Sequence, residues 1–314
     1  MHLRKLFILA AVAFVGATAC GVEKMPEAPT PSPGAVSYPQ QITTTAGVVT
    51  IPSKPSRIIS LSATATQMVF AIGAGTQVVA VDQYSTYPAN APRTNLSGFQ
   101  PNVEAIAGYR PDLVLIDSDQ GGLVKSMAAL HIPVLVLPAA PNLTGSYDQI
   151  TELGRVTSHP DGAQKVISMM QTQIANIVAS VHKPSQLTVY HELDQTYYTA
   201  TSATFIGEIY KMFGLTNIAD KAGLTKNSGY PQLSSEYIVS ADPQLVVLAD
   251  TVCCKQSKTT VAARPGWSKI AAVQKDEVIA VDDSLASQWG PRIVEYIRLV
   301  AQTVTHAESV YGVK

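Results

Sequence analysis

Short apolar runs alternate with stretches of helical periodicity along most of this chain, and this alternation restricts the fold more than any other feature. A short run of branched apolar residues suits a strand that is buried on both faces of a parallel sheet. Apolar residues at helical spacing indicate helices that cover those faces. The sequence therefore predicts an α/β fold with doubly wound parallel sheets. The predicted strands are residues 57–61, 78–81, 111–116, 133–137, 187–190, 245–248 and 278–281, and the predicted helices are 64–73, 103–109, 123–131, 147–157, 161–182, 204–213, 235–241, 260–273 and 291–309.

The stretch over 146–184 contains no predicted strand and divides this pattern into two halves. Its second helix carries an apolar stripe that includes Val166, Met170 and Ile174. Such a helix is either a rigid connector between two lobes or an ordinary packing helix, and the stripe suits both. The predicted divisions are an N-terminal α/β lobe over 40–145, a linking helical segment over 146–184 and a C-terminal α/β lobe over 185–314.

A short motif occurs once in each predicted lobe, which supports a duplicated architecture with one helix–turn–strand unit per copy. Each copy begins with a glutamate near the start of a helix, where a negative charge is favourable. The two glutamates are either helix-stabilising charges or exposed acidic points that meet basic sockets on a partner. The residues that match at identical spacing are Glu104, Ile106, Pro111, Leu113 and Val114 in one copy and Glu236, Ile238, Pro243, Leu245 and Val246 in the other.

The N-terminus has the features of an export signal. Arg4 and Lys5 precede a continuous apolar stretch, and small residues follow it, so residues 1–19 are predicted to be a signal peptide. The sequence Ala-Thr-Ala-Cys20 is similar to a bacterial lipobox, in which the cysteine becomes the lipidated first residue of the mature chain. Residues 20–39 are rich in proline and small polar residues and are predicted to form a tether. We therefore expect an extracytoplasmic protein that a lipid anchors to the outer face of the cell membrane.

Composition and missing motifs exclude several functions. Only 14% of residues are charged and the net charge is −1, so a nucleic-acid partner is not expected. The chain has no phosphate-binding Gly-x-x-x-x-Gly-Lys loop, no Gly-x-Ser-x-Gly elbow and no His-Glu-x-x-His sequence. His191 and Glu192 lie at a predicted strand end, where ligands bind in open α/β sheets. They lack further ligands at metal-binding spacing, so neither a metal nor a cofactor is predicted.

Many aromatic residues fall in loops that follow predicted strands. Such residues either seal the edges of a lobe or line a cleft that holds a large, partly apolar ligand. Arg292 is suited to pair with a carboxylate or phosphate of such a ligand. Ser62 is expected to cap the first helix at the end of the first buried strand. The loop aromatic residues are Tyr84, Tyr87, Phe99, Tyr197, Tyr198, Tyr230 and Trp289.

Cys253 and Cys254 are adjacent and follow a predicted strand, so they also belong to the candidate ligand-binding residues. They are either free thiols or a strained vicinal disulfide, which would close almost no loop. Because thiols outside the cytoplasm tend to be oxidised, we predict the vicinal disulfide.

Taken with these features, the segment from Gly47 to Ser62 resembles the cobalamin and ferric-siderophore substrate-binding proteins of ABC importers. Its sequence is Gly-Val-Val-Thr-Ile-Pro-Ser-Lys-Pro-Ser-Arg-Ile-Ile-Ser-Leu-Ser. The resemblance covers about residues 40–310. It implies two Rossmann-like lobes that are joined by a single long rigid helix, with the ligand in the cleft between them. It also implies that Glu104 and Glu236 dock onto arginines of a permease dimer that is driven by a separate ATPase.

Within this family the vitamin B12-binding proteins look most similar. The run from Tyr84 to Pro88, Tyr-Ser-Thr-Tyr-Pro, resembles their Tyr-Ser-x-Tyr-Pro loop, and Pro-Arg292 resembles a late Pro-Arg whose arginine contacts the ligand. Phe99 and Tyr230 fall where B12 binders have tryptophan.

The resemblance implies a monomeric, non-enzymatic protein that captures a corrinoid and delivers it to an importer. A ferric-siderophore or haem binder is the main alternative. A metal-ion binder that uses His191 and an α/β enzyme are further alternatives.

Overall fold

The computed structural model describes residues 36–181, 187–222 and 229–312. The predicted signal peptide, Cys20 and most of the tether lie outside these residues. Within the last part of the predicted tether, the Tyr38 hydroxyl donates a 2.6 Å hydrogen bond to the backbone oxygen of Val156. The end of the tether is therefore bound to the linking segment.

The N-terminal lobe begins with an antiparallel hairpin that the sequence analysis did not predict. A four-stranded parallel sheet follows, as predicted, with three helices around it. Its elements are β1 (Gln40–Thr44), β2 (Gly47–Ile51), β3 (Ile58–Ser60), α1 (Ala63–Ala71), β4 (Val78–Val81), α2 (Val103–Gly108), β5 (Leu113–Ile116), α3 (Leu123–Ala129) and β6 (Val134–Val136).

Two helices link the lobes, α4 (Leu143–Thr157) and α5 (Pro160–Ala179). Ser158 ends α4 in the left-handed region, at a φ of 60°, and Pro160 occupies the first turn of α5. The 20 residues of α5 span about 30 Å at 1.5 Å per residue. The predicted connector is thus a continuous helix, although Met169 of its apolar stripe is 47% exposed.

The C-terminal lobe has a second four-stranded parallel sheet. The single helix predicted over 260–273 is wrong, because Pro265 and Gly266, which has a φ of 82°, separate two short helices. The elements are β7 (Thr188–Glu192), α6 (Phe205–Met212), β8 (Thr216–Asn217), α7 (Ser235–Ala241), β9 (Leu245–Leu248), α8 (Lys258–Ala262), α9 (Ala271–Gln274), β10 (Val278–Ala280), α10 (Asp283–Ala286) and α11 (Ile293–Tyr311).

The two sheets have the same strand order. In each lobe the first strand lies between the second and the third, and the fourth follows the third, which gives β4-β3-β5-β6 and β8-β7-β9-β10. The repeated motif corresponds to α2 with β5 and to α7 with β9. In both copies a left-handed residue, Arg110 or Asp242, ends the helix directly before the proline. The predicted duplication is therefore confirmed.

The largest apolar cluster is shared by the two lobes. It runs from Leu115 and Leu135 of the first sheet through Ile150 and Met170 of the linking helices to Val247 of the second sheet. Burial of this continuous cluster favours a fixed arrangement of the lobes, since a hinge movement would expose apolar surface to water.

Candidate functional site

A cleft of about 590 Å³ lies between the two lobes. Its walls come from segments that follow β3, β4 and β5 in one lobe and β9 and β10 in the other. Ligands of open α/β sheets bind at these carboxyl ends, next to the strand where the order reverses. Ser62, Tyr84, Phe99, Cys253 and Trp289, all predicted ligand-binding residues, line this cleft.

The wall of the N-terminal lobe carries an exposed aromatic pair. Tyr84 and Phe99 meet edge to face with their ring centroids 5.1 Å apart, and Phe99 is 67% exposed. The chain passes very close to β3 beside this pair: a Cβ on Gly98 would lie 2.3 Å from the backbone oxygen of Leu61. Glycine is therefore required there, and it brings Phe99 to the cleft.

The opposite wall is organised by Asp283. Its carboxylate accepts 2.8 Å hydrogen bonds from the backbone N–H groups of Val252 and Cys253. These bonds outweigh the effect of burial and lower the pKa of Asp283 below its ordinary value. Trp289 closes the cleft on this side, and its indole Nε1 donates a 2.8 Å hydrogen bond to Gln149 of α4.

The predicted vicinal disulfide is not present, since Cys253 and Cys254 are both free thiols. Burial, hydrogen bonding with Cys254 and the neighbouring Asp283 carboxylate raise the pKa of Cys253 to about 12. The backbone N–H groups of Cys253 and Cys254 donate hydrogen bonds to the Asp283 carboxylate and to the Asp250 carbonyl. Cys253 lines the cleft, whereas Cys254 is not among its lining residues.

Four aspartates line the cleft, and the sequence analysis selected none of them. Each of them follows the end of a strand, and this position is the sequence signal that could have identified them. Asp82 accepts hydrogen bonds from the backbone and side chain of Ser85, and burial raises its pKa. Among the described residues that line the cleft there is no lysine, arginine or histidine. The other three aspartates are Asp117, Asp282 and Asp283.

The structure does not bring Tyr87 and Arg292 into this cleft. Both line a separate cavity of about 560 Å³ beside α5 and α11. The Arg292 guanidinium lies 4.6 Å from the centroid of the Tyr87 ring and forms a 3.0 Å ion pair with Glu295. In this structure Arg292 therefore contacts Tyr87 of the other lobe and pairs with a carboxylate, outside the residues that line the cleft.

The other predicted tyrosines also lie outside the residues that line the cleft. The chain turns back at Tyr197, which has a φ of 71°. The Tyr197 ring stacks on the Trp267 ring with the centroids 5.7 Å apart. Tyr198 follows on the same turn and is 36% exposed. Tyr230 is half-buried against the shared core. The tight turn after β7 places Tyr197 against its own lobe, and strand-end position alone did not predict this.

A buried charged cluster adjoins the loop that carries the cysteines. Arg264 binds Glu192 through two 2.6 Å hydrogen bonds. Asp250, which follows the neighbouring strand β9, is fully buried, and neither carboxyl oxygen has a hydrogen-bond partner in the described parts of the chain. Burial and the Glu192 carboxylate raise the pKa of Asp250 to about 7. The guanidinium therefore binds Glu192, and the adjacent Asp250 favours its protonated form.

His191 is a core residue in this structure. It is fully buried, and its Nδ1 lies 2.6 Å from the hydroxyl of Tyr210. Burial lowers the pKa of His191 to about 3. No group of three potential metal ligands occurs among the described residues, so the metal-ion alternative gains no support from His191.

Glu104 and Glu236 occupy equivalent positions in the two lobes. Each lies in the first turn of its helix, α2 or α7, and is exposed. Asn102 and Ser234 cap these helices, since their side chains accept hydrogen bonds from Ala105 N and Tyr237 N. The helix ends are thus stabilised by other side chains, and both carboxylates are available to a partner.

Two parallel-sheet lobes, a linking helix and a cleft at the strand ends define a bilobed binding protein. The chain belongs to the periplasmic binding protein family, whose model matches residues 58–285. This membership confirms the resemblance to substrate-binding proteins of ABC importers. Such proteins work outside the cytoplasm and pass small ligands to a permease and its ATPase.

Similar proteins include a cobalamin-binding protein of Halobacterium salinarum, which is 34% identical over 258 residues that cover 79% of this chain and 69% of that protein. The periplasmic vitamin B12 binding protein BtuF of Vibrio cholerae has a similar crystal structure, with a TM-score of 0.66 at 22% identity over 82% of this chain and 99% of that one. The apo form of the periplasmic haem-binding protein RhuT of Roseiflexus has a TM-score of 0.69 at 21% identity over 80% and 98% of the two chains. At these identities the two structures establish the fold alone.

Across the residues that the structure describes, we find no helix with the length and apolar character needed to cross a membrane.

Proposed function

We propose that this protein captures a corrinoid outside the cytoplasm and delivers it to an ABC importer. The observation that carries the proposal is the exposed Tyr84–Phe99 pair in the cleft between the lobes. A corrin is a broad ring with an apolar face, which aromatic side chains bind by stacking and edge contacts. The cobalamin-binding relative, which aligns with 79% of this chain, supports the same ligand class.

The mechanism is capture without chemistry. The ligand lies between the Tyr84–Phe99 wall of one lobe and, in the other lobe, the loop at Val252 and Cys253 that is held by Asp283. Because the lobes share one apolar core, the cleft is largely formed before the ligand arrives. The energy for transport comes from a separate ATPase.

Titration of the soluble body, without the signal peptide and Cys20, with cyanocobalamin tests this proposal. Trp289 lines the cleft and Trp267 is fully buried in the C-terminal lobe. Absorption by the corrin should therefore quench Trp289 strongly, and calorimetry should give one site with micromolar or tighter affinity. Tyr84→Ala should weaken binding about tenfold, as expected for loss of an aromatic contact. Tyr198→Ala is the matched control, because this exposed tyrosine lies outside the residues that line the cleft, and it should bind like the wild type.

Absence of cyanocobalamin binding by the folded protein would refute the corrinoid assignment and leave the family membership intact. Haem and a ferric siderophore would then be titrated in the same way. Equal losses in the two tyrosine variants would show that the aromatic pair is not the binding surface.

We further propose that Glu104 and Glu236 dock the loaded protein onto arginines of the permease. The support is their equivalent, exposed positions in the duplicated lobes. Reversal of both charges to lysine should abolish uptake and leave ligand affinity unchanged. Asp161→Lys is the matched control, since Asp161 is also exposed in the first turn of a helix, α5. Normal uptake by the double variant would contradict the docking proposal.

The lipid anchor on Cys20 is proposed from the sequence Ala-Thr-Ala-Cys alone. Cys20→Ala should move the protein from the membrane fraction to the soluble extracytoplasmic fraction, and its mass should lack the diacylglyceryl group. Continued membrane association of this variant would contradict the anchor.

A further inference from the structure

The charged side chains that line the cleft are all acidic among the described residues. Asp82, Asp117, Asp282 and Asp283 line it, and no cationic side chain does so among the described lining residues. Negative charge is thus concentrated on the surface that the ligand meets, although the whole chain carries a net charge of only −1. The aromatic pair in the same cavity shows that this surface belongs to the ligand site and is not an isolated acidic cluster.

Three of these carboxylates accept hydrogen bonds from neighbouring groups that hold them in place. Asp283 accepts two backbone N–H bonds, as described above. Asp282 caps α10 and accepts a 2.9 Å hydrogen bond from Ser284 N. Asp117 accepts a 3.0 Å hydrogen bond from the Ser118 hydroxyl. These donors orient the three carboxylates in the wall of the cleft.

Nearby arginines do not cancel this charge. Arg264 donates hydrogen bonds to Glu192 and Gln256 inside the C-terminal lobe. Arg292 is paired with Glu295 in the separate cavity. Neither guanidinium lines the cleft. A ligand with acidic groups, such as haem with its two propionates, would therefore be repelled by the walls and would find no cation to pair with.

We infer that the cleft selects ligands that carry a net positive charge. This inference rests on the proposed corrinoid function and names the preferred form: a corrinoid whose cobalt bears water rather than cyanide. Aquocobalamin carries one positive charge, whereas cyanocobalamin, with the same ring and side chains, is neutral. The two probes therefore differ mainly in charge and in one small axial ligand.

The test is a pair of calorimetric titrations of the soluble body at low and at high salt. Aquocobalamin should bind about fivefold to tenfold more tightly than cyanocobalamin at low ionic strength. At about 1 M salt, where the screening length falls to about 3 Å, the two affinities should approach each other. The cyanocobalamin affinity should hardly change with salt.

The variant Asp117→Asn/Asp282→Asn removes two of the charges and keeps the fold. Asparagine caps helices as well as aspartate does and has the same shape. This variant should reduce the preference for aquocobalamin over cyanocobalamin, measured as the ratio of the two affinities at low ionic strength, by about twofold to threefold. Asp161→Asn is the matched control, because this exposed aspartate is not among the residues that line the cleft, and it should keep the full preference.

The outcomes separate this inference from the proposed function. If neither corrinoid binds, the corrinoid function is wrong and the inference falls with it. If both bind but cyanocobalamin binds as tightly as aquocobalamin, the function stands and the charge selection is refuted. A preference that persists in the Asp117→Asn/Asp282→Asn variant also refutes it, because the preference then has another origin.

Discussion

The buried carboxyl group of Asp250 should make the protein less stable as the pH rises from about 4 to about 7. Asp250 is fully buried beside Glu192, and Arg264 bonds to Glu192. The informative perturbation is Asp250→Asn, because asparagine has the shape of the protonated acid and does not ionise. It removes the titration and leaves the packing unchanged.

The magnitude follows from the two states of the carboxyl group. The pKa of Asp250 is raised from 3.8 to about 7 by folding. Between these pH values the unfolded chain binds fewer protons than the folded chain, so the free energy of unfolding decreases as the pH rises. A pKa difference of about three corresponds to about 4 kcal/mol. Because neighbouring side chains relax around a new charge, we expect a loss of about 2–4 kcal/mol, complete near pH 7.

The assay is urea unfolding of wild type and Asp250→Asn at several pH values, followed by the fluorescence of the buried Trp267. The two proteins should be equally stable near pH 4, and the variant should be more stable by about 2–4 kcal/mol near pH 7. The difference in the free energy of unfolding between the two proteins at each pH cancels the contributions of the other titrating groups. Asp161→Asn, at an exposed site, should show no such trend. A stability difference between Asp250→Asn and wild type that is the same at every pH would refute the reasoning, since Asp250 would then be ionised throughout.

Three further predictions concern the cleft. Gly98→Ala should abolish the proposed corrinoid binding and lower the free energy of unfolding by several kcal/mol, because the added Cβ would lie 2.3 Å from the Leu61 carbonyl oxygen. Calorimetry measures the binding and urea unfolding measures the stability. Near-normal binding by this variant would contradict the close approach. In the urea-denatured soluble body, without prior reduction, Cys253 and Cys254 should react as two free thiols with a thiol reagent, and absence of reaction would indicate the disulfide. Arg292→Ala should leave ligand affinity within about twofold of wild type, and a larger loss would show that Arg292 leaves Glu295 for the ligand.

The sequence predicted the order of most elements because parallel strands buried on both faces are short, branched and apolar. The repeated unit around Glu104 and Glu236 predicted the duplication correctly. The β1–β2 hairpin was missed because its turn, Thr45-Ala46, has none of the glycine or asparagine residues that usually mark a two-residue turn. The two-residue strand β8 is too short for any periodicity to show it.

The site was predicted less completely than the fold. Strand-end position identified Tyr84, Phe99 and Trp289, but the same rule also selected Tyr197 and Arg292. The direction of a side chain after a strand depends on the turn that follows, and a positive φ at Tyr197 reverses it. The cleft aspartates were overlooked because a single acidic residue after a strand has no pattern of its own; only their convergence in three dimensions shows that they act together.

The apolar core shared by the two lobes also bears on the rate at which a ligand enters. Opening the lobes widely would expose that core, so we expect the mouth of the cleft to keep a nearly constant width. Entry is then a collision with a surface already in place, and the observed rate should rise linearly with ligand concentration without reaching a plateau. We expect association rate constants on the order of 10⁵–10⁷ M⁻¹s⁻¹ for ligands that fit the cleft. Differences in affinity between such ligands then come mainly from their dissociation rates, so the ligand that stays bound longest is the one carried to the importer.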